Sequence, residues 1–141
     1  MIILDVVNEL RAALATITGL NVPPWGADIA KPPAAVIAMP DSIEFDASYR
    51  RGRDTIPDLQ LIVIVDYQNS RSGFEAIAPY LDGSGPKSIK ALTAAKNAAT
   101  SWTSCDRARV TSVSIDLPTY KETTVVSATF HLTIIGKGIT P

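Results

Sequence analysis

Histidine and cysteine, two residue types that often carry chemistry in proteins, each occur once in this sequence, as His131 and Cys105. His131 lies on the polar side of an alternating stretch, and neither a second histidine nor a second cysteine exists to complete a metal site with it. Cys105 has no neighbour in the run WTSCD that would activate its thiol as a nucleophile. Composition alone allows a serine–histidine–acid triad, but no serine lies in a G-x-S-x-G elbow. We therefore expect no catalytic residue, no metal site and no enzymatic activity.

The stretch GSGPKS at residues 83–88 has residue types that bind phosphate in other proteins. A phosphate-binding loop needs the spacing G-x-x-x-x-G-K-[ST], in which free backbone N–H groups cradle the anion. Here the glycines are too close together, and Pro86 removes one of the N–H donors. We expect this stretch to start a helix, with Pro86 in the first turn, where proline is favoured. No cofactor is implied.

Several carboxylates flank the middle of the chain, and paired carboxylates can hydrolyse glycosides. Such hydrolysis needs a cleft that holds two acids at a fixed separation. Alternation places Glu44 and Asp46 on one exposed face of a predicted strand, so we expect both side chains to be solvated.

The one cluster of positive charge lies at residues 49–54, between two predicted strands, at the expected tip of a long hairpin. Guanidinium groups bind carboxylates through two parallel hydrogen bonds, so this tip could contact an acidic partner. A formal net charge of −1 and a single aromatic neighbour make it a weak nucleic-acid signal. The alternative is a solvated turn. The predicted partner-contact residues are Tyr49, Arg50, Arg51 and Arg53.

The strand that must organise these residues is the run IPDLQLIVIVDY at residues 56–67. Side chains alternate across a strand, so Leu61, Val63 and Val65 face one side, and Ile62 and Ile64 face the other. A strand that is apolar on both faces needs cover on both faces. We expect helices on one side and, on the other, protein from this chain or from a neighbouring copy.

The N-terminal part has one helix and two shorter strands before this central strand. Apolar residues at helical spacing predict a helix over residues 2–17, with Gly19 as a stop. Residues 21–33 contain four prolines in a connection with Trp25 as its anchor. Residues 34–39 form an apolar strand. Residues 42–48 alternate, which predicts a half-buried strand with Ile43, Phe45 and Ala47 facing inward.

Two helices and a hairpin follow the central strand. Residues 69–73 are polar and predict a turn, after which Phe74, Ile77, Ala78 and Leu81 fall at helical spacing. A second helix, starting at Gly85-Pro86, has a narrow apolar stripe formed by Ile89, Leu92, Ala95 and Ala99. Residues 109–117 and 122–135 alternate, which predicts an antiparallel hairpin around a turn at residues 118–121.

Length and composition fit one domain over residues 1–141, of the α+β class, with a mostly antiparallel sheet and the helices packed on one face. Charged residues make up 19% and hydrophobic residues 46% of the chain, which suggests that some surface is covered by a partner. No apolar run is long enough to cross a membrane, and the start does not resemble a signal peptide. We expect a protein made in the cytoplasm.

This layout resembles the tail-terminator proteins of long-tailed, non-contractile phages. The resemblance rests on the order of the elements along the chain. These are the N-terminal helix, the proline-rich link, the strand at residues 34–39, the long hairpin at residues 43–67, the helical residues 74–99 and the final hairpin. The resemblance spans nearly the whole chain, but it involves no motif that assigns a functional residue. It implies a hexameric ring in the virion tail that caps the tail tube, stops its polymerisation and offers a surface to head-completion proteins. DNA would only pass through the lumen.

Two alternatives remain open at the level of sequence. The layout is shared loosely by other head–tail joining, neck and tail-tube proteins. A protein of another class, a small-ligand-binding α+β module or an enzyme, would line a closed pocket with Trp25, Trp102 or Tyr67. A ring subunit would instead leave broad flat faces.

Overall fold

A computed structural model of the chain describes residues 2–23, 33–45, 54–66, 70–116, 119–120 and 123–136. The helices within these ranges are α1 (Ile3–Leu14), α2 (Ser70–Leu81) and α3 (Ile89–Ala98). The strands are β1 (Ala34–Ile37), β2 (Thr55–Asp66), β3 (Arg107–Asp116), β4 (Thr119–Tyr120) and β5 (Thr123–Ile135). The predicted α+β class with an N-terminal helix is confirmed. None of the described helices has the length and apolar character needed to cross a membrane.

Four strands form one antiparallel sheet in the order β1-β2-β5-β3, and β4 pairs with the start of β5. β2 and β5 are therefore interior strands, while β1 and β3 are the two edges. Four rows of paired residues cross the whole sheet from β1 to β3. The first row is Ala34, Ile64, Ser127 and Asp116; the second is Ala35, Val63, Ala128 and Ile115; the third is Val36, Ile62, Thr129 and Ser114; the fourth is Ile37, Leu61, Phe130 and Val113.

The hydrophobic core lies between the helices and one face of this sheet. Leu61, Val63 and Val65 of β2 are buried in it, as their alternation predicts. Alternate residues of β5 complete the same layer, and they are Val126, Ala128, Phe130, Leu132 and Ile134. The helices pack on this layer because each presents an apolar stripe at helical spacing.

The first helix ends earlier than the sequence predicts. The helix stops at Leu14, three residues before the predicted end, although Ile17 and Leu20 beyond it are still buried in the core. Gly19 has a φ of +83°, a left-handed conformation that glycine adopts without strain. Gly19 thus turns the chain after a short irregular segment, and the helix itself ends before it.

The two middle helices differ from their predicted boundaries. α2 begins at Ser70, so the polar run at residues 70–73, predicted as a turn, forms its first turn. α3 begins at Ile89, and Ser88 is its N-cap: the Ser88 hydroxyl accepts from the Ala91 N–H at 3.1 Å and donates to the Asp82 carbonyl. Pro86 therefore precedes the helix instead of lying in its first turn. A capping hydroxyl satisfies a free N–H group more directly than proline does.

The predicted apolar faces of α2 and α3 are only partly correct. Ile77 and Ile89 are buried, but Phe74 is half exposed and Ala95 and Ala99 are exposed. Tyr80, which the helical spacing did not include, is buried. Alanine positions are weak guides to a helix face because a methyl group gains little from burial.

The final hairpin is confirmed, since β3 and β5 pair along most of their length. The predicted strand at residues 42–48 differs: in its described part it makes a single bridge, in which Glu44 and Thr55 exchange N–H···O bonds of 2.7 and 2.8 Å. Phe45 was predicted to face inward with Ile43, but it is 73% exposed. One bridge fixes Glu44 without extending the pleat, so alternation beyond it does not decide which side chains are buried. Ala47 lies outside the described residues.

Candidate functional site

The sheet face opposite the helices carries small polar side chains of β5 beside two isoleucines of β2. Ile62 and Ile64, the second apolar side of β2, are half-buried. Their row partners on β5 are Thr129 and Ser127. Within this chain the second face of β2 is only partly covered: Ser127 beside Ile64 is buried, whereas Ile62 and Thr129 are half-buried.

His131 lies on this open face and forms a pair with Asp58. The His131 Nδ1 is 2.8 Å from the Asp58 Oδ1, and their side chains are 28% and 43% exposed. A register shift between Ile56 and Leu59 of β2 brings Asp58 to this position. The shift includes Pro57, which has no N–H group for the strand ladder and is tolerated at a bulge.

A second bulge lies on the other side of the same β5 segment. The register between β3 and β5 shifts between Val110 and Ser112, and the Thr111 hydroxyl donates to the His131 carbonyl at 3.0 Å. Ser112 is therefore the β3 partner of His131. A base must be within hydrogen-bonding reach of a nucleophile to activate it, and among the described residues no side-chain hydrogen bond joins the Ser112 hydroxyl to the His131 ring. What the geometry does support is an imidazole held in one orientation by Asp58.

The second half of β3 projects beyond the cover that the helices provide. Near the start of β3, Ala108 is buried, and the Asn97 side chain of α3 binds its backbone N–H and carbonyl groups. From residue 111 to residue 116 every position is exposed. Val113 and Ile115, on the helix side, are 37% and 54% exposed. We name residues 112–116 the β3 tip.

Two more apolar side chains are exposed at the opposite edge of the sheet. Met39 follows β1 and is 71% exposed, and Phe45 follows the Glu44–Thr55 bridge and is 73% exposed. Thr55 pairs with Ile135 of β5 on its other side, so Glu44 and Phe45 lie on the β1 side of β2. We name Ile37, Met39 and Phe45 the β1 side.

Glu9 of α1 holds the loop that precedes β3. Its carboxylate accepts hydrogen bonds of 2.9 and 3.1 Å from the Thr103 N–H and one of 2.9 Å from the Ser104 N–H, and it also accepts from both hydroxyls. Partial burial raises the pKa of Glu9, but the hydrogen bonds from Ser104 and Thr103 outweigh it and lower the pKa from 4.5 to about 2. Glu9 therefore binds this loop as a carboxylate.

The same loop is also fixed to α3. The Asn97 Oδ1 accepts from the Trp102 indole N–H at 2.9 Å, and the Lys96 Nζ lies 4.7 Å from the centre of the Trp102 ring. A shallow pocket of about 330 Å³ lies beside Asn97, lined also by Thr100, Asp106, Arg107 and Ile135. The Asn97 amide is already bonded to Trp102 and Ala108, so it positions the loop instead of facing a ligand.

The residues predicted as a partner contact, Tyr49, Arg50, Arg51 and Arg53, lie outside the described residues, as do Trp25 and Tyr67. Cys105, predicted to be small and partly buried, is fully buried. Across the described ranges, no three His, Cys, Asp or Glu side chains approach closely enough to hold a metal ion. Sequence reasoning missed the β3 tip, because alternation over residues 109–117 gives the side of the strand on which Val113 and Ile115 lie but not how far the helices reach. Their side of the sheet is correct, but the helices end short of them.

A scan against protein-family models finds no matching family, and a search of curated proteins finds no match.

Proposed function

We propose that this chain is a tail terminator, a structural subunit that forms a ring on the tail tube of a long-tailed, non-contractile phage. The ring would stop tube growth and present a surface to head-completion proteins. The order of elements supports this proposal, because α1, β1, β2, α2, α3 and the β3–β5 hairpin follow each other as in the layout described above.

The observation that carries the proposal is the exposed β3 tip. Edge strands invite pairing with other chains, and monomeric proteins usually blunt them with charges, prolines or cover. The β3 tip has instead two exposed apolar side chains and one charged residue, Asp116. Such an edge is typical of a surface that a partner covers.

The open sheet face supports the same class of function. Ligand-binding modules enclose most of a small molecule in a concave site. Among the described residues, the polar sheet face is partly open, the β3 tip is exposed, and the pocket beside Asn97 is shallow. Broad, flat surfaces are suited to contacts between subunits.

The partners that follow are other copies of the chain, the tail-tube protein and a head-completion protein. The arginine cluster at residues 50–53 is our candidate for an electrostatic contact with an acidic surface on one of them. DNA would pass through the ring without specific contacts.

The experiment is to delete the gene from the phage that encodes the chain and to measure tail-tube lengths by electron microscopy. We expect tubes of uncontrolled length without heads, and normal lengths when purified protein is present during assembly. Purified Val113→Lys, changed in the β3 tip, should fail to restore tube length, whereas the matched control Ala94→Lys, changed on the exposed side of α3, should restore it.

The same lysates separate the terminator from its closest alternative. Tubes of normal length that fail to join heads would assign the protein to the neck instead. Infectious particles at wild-type yield after deletion would contradict both assignments.

A further inference from the structure

The backbone of β3, as distinct from its side chains, has groups that face away from the sheet. In a strand, the N–H and C=O groups of one residue point to the same side, and those of the next residue point to the opposite side. In an antiparallel pair, alternate residues therefore bond their partner strand, and the residues between them leave their groups for a further strand. The direction of these groups in β3 decides what its outer edge can bind.

Hydrogen bonds of β5 fix the direction of its own backbone groups. The Ile135 carbonyl accepts from the residue just before β3 at 2.8 Å, and the His131 carbonyl accepts from the Thr111 hydroxyl of β3 at 3.0 Å. Both carbonyls therefore point to β3. Alternation along β5 then directs the groups of Phe130 and Ala128 to the other side, toward β2.

The β3 partners of those two residues are Val113 and Ile115, so the N–H and C=O groups of Val113 and Ile115 point outward. The start of β3 agrees with this phase, because both backbone groups of Ala108 bind the Asn97 side chain, at 2.6 and 3.2 Å. Among the described residues, no hydrogen bond reaches the outward groups of Val113 or Ile115. Asn97 thus occupies the edge at Ala108, and the edge is open at the β3 tip.

The side chains of the β3 tip indicate what a further strand would carry. Val113 and Ile115 are exposed on the helix side, and Ser114 lies between them on the opposite face. Directly opposite residues of adjacent strands share a face and pack against each other. An added strand would therefore place apolar side chains beside Val113 and Ile115 and a small polar side chain beside Ser114.

The described part of this chain offers no second free strand edge of matching length. β2 and β5 are interior strands, and β4 pairs with β5. On the β1 edge, the Asn21 carbonyl accepts from the Ala35 N–H at 2.8 Å, and the Asn21 N–H donates to the Pro33 carbonyl at 2.9 Å. Because Asn21 already occupies that edge, we expect the complementary strand to come from a different protein.

We propose that the β3 tip binds an extended segment of the tail-tube protein, which adds to the sheet as one more strand beside β3. The segment carries an apolar, a small polar and an apolar side chain in succession, without charge at these positions. Main-chain hydrogen bonds provide affinity in such a contact, and the alternate side chains provide specificity. The inference rests on the proposed function for the source of the segment, because a terminator must contact the tube to stop its growth.

Proline substitutions test the direction of the backbone groups. Proline has no N–H group, and an edge strand tolerates it where that group would face outward. Ile115→Pro should therefore lower the urea midpoint only slightly. Ser114→Pro should lower it far more, because the Ser114 N–H points to β5 and belongs to the ladder between β3 and β5. Equal losses would overturn the assigned directions and the proposal with them.

Co-sedimentation with tail tubes that lack the protein tests the added strand. Ile115→Pro should lower attachment by about tenfold or more, because one backbone donor of the contact is lost. Ile115→Ala keeps the N–H group and loses most of the side chain, so its attachment should fall less. Ile115→Val is the matched control and should attach like the wild type. An equal loss in the alanine and proline variants would assign the contact to the side chain alone and overturn strand addition.

Amide hydrogen exchange measures the backbone contact directly. On attachment to tubes, the Val113 and Ile115 N–H groups should exchange about tenfold more slowly or less, while the Ala108 N–H, already bonded to Asn97, should change little. Unchanged exchange at Val113 and Ile115 in attached protein would overturn the added strand and leave the terminator function standing. Slowing that appears without tubes and grows with protein concentration would show a second copy on this edge and overturn the proposal too.

The remaining outcomes separate the contact from the function. Slowed exchange at Val113 and Ile115 on tubes, without restored tube length in the deletion experiment, would support the added strand and contradict the terminator function. Wild-type protein that does not attach to tubes would contradict both.

Discussion

At the scale of single residues, the Glu9 carboxylate binds the loop at residues 103–104, an interaction that we call the Glu9 clasp. Two backbone N–H groups and two hydroxyls donate to one carboxylate. Charge-assisted hydrogen bonds of this kind are about twice as strong as neutral ones. The clasp links α1 to the start of β3, two segments that are distant in sequence.

We predict that Glu9→Gln destabilises the protein by about 1–2 kcal/mol, because the amide keeps the shape but loses the charge and part of the acceptor capacity. Urea unfolding at neutral pH measures this difference. Asp41→Asn, at an exposed loop position, is the control and should have little effect. Equal stability of both variants would contradict the role given to Glu9.

The clasp also predicts a pH dependence. Because folding lowers the pKa of Glu9 from 4.5 to about 2, its contribution to stability is complete above pH 4.5 and is lost as the pH falls toward 2. The stability of the wild type should therefore fall more steeply over this interval than that of Glu9→Gln. Parallel curves would show that the carboxylate is not responsible.

His131 and Cys105 are predicted to be dispensable for function. His131→Ala removes the bond to Asp58, whose side chain is 43% exposed and can be hydrated, and Cys105→Ala leaves a small cavity. We expect each to cost about 1 kcal/mol and to leave tube capping intact. A variant that stays folded and assembled but loses activity would indicate chemistry at that residue.

At the scale of elements, the sequence predicts strands better than helix ends. The alternation of β2 identified its buried side, because one buried face requires a two-residue period. On β3, alternation placed Val113 and Ile115 on the correct side of the sheet, but both are exposed. It did not reveal the bulges at Pro57 and Thr111, which depend on pairing between distant segments. The same limit explains Asp58 and His131, which are 73 residues apart and meet only in the folded sheet.

Helix boundaries depend on caps, and the C-terminal cap of α3 illustrates this. The Ser101 N–H binds the Lys96 carbonyl and the Thr100 N–H binds the Asn97 carbonyl, the paired bonds of a Schellman motif. This motif places Thr100 at a φ of +53°, where glycine is usual and a β-branched residue is strained.

We predict that Thr100→Gly stabilises the protein by about 0.5–1 kcal/mol, since relief of this strain outweighs the extra freedom of glycine in the unfolded chain. Denaturant unfolding provides the measurement. Ala99→Gly is the matched control, because Ala99 has an ordinary helical conformation, and glycine there should destabilise. Loss of stability in Thr100→Gly would show that the left-handed turn is not present in solution.

At the scale of the whole molecule, the sequence suggests a partner contact at the arginine cluster, which lies outside the described residues. Two backbone hydrogen bonds between Glu44 and Thr55, which flank the cluster in sequence, join its two ends beside the start of β2.

Changing Arg50, Arg51 and Arg53 together to Ser should leave the fold unchanged and weaken attachment to tail tubes. Each exposed ion pair contributes only about 0–1 kcal/mol, but the proposed ring would repeat the contact in every copy. Co-sedimentation with tubes at increasing salt measures the effect, and wild-type attachment should itself weaken as salt rises. Wild-type attachment by the triple variant would identify the segment as a solvated turn.

The central claim is that copies of this chain close into a ring on the end of a tail tube. The most direct test is the mass of the assembly that the purified protein forms on tubes lacking it, measured by native mass spectrometry after cross-linking and release. The account predicts one closed species of six times the 15.0 kDa chain mass. A single bound copy, a continuous series of masses without a closed species, or no bound protein would contradict it.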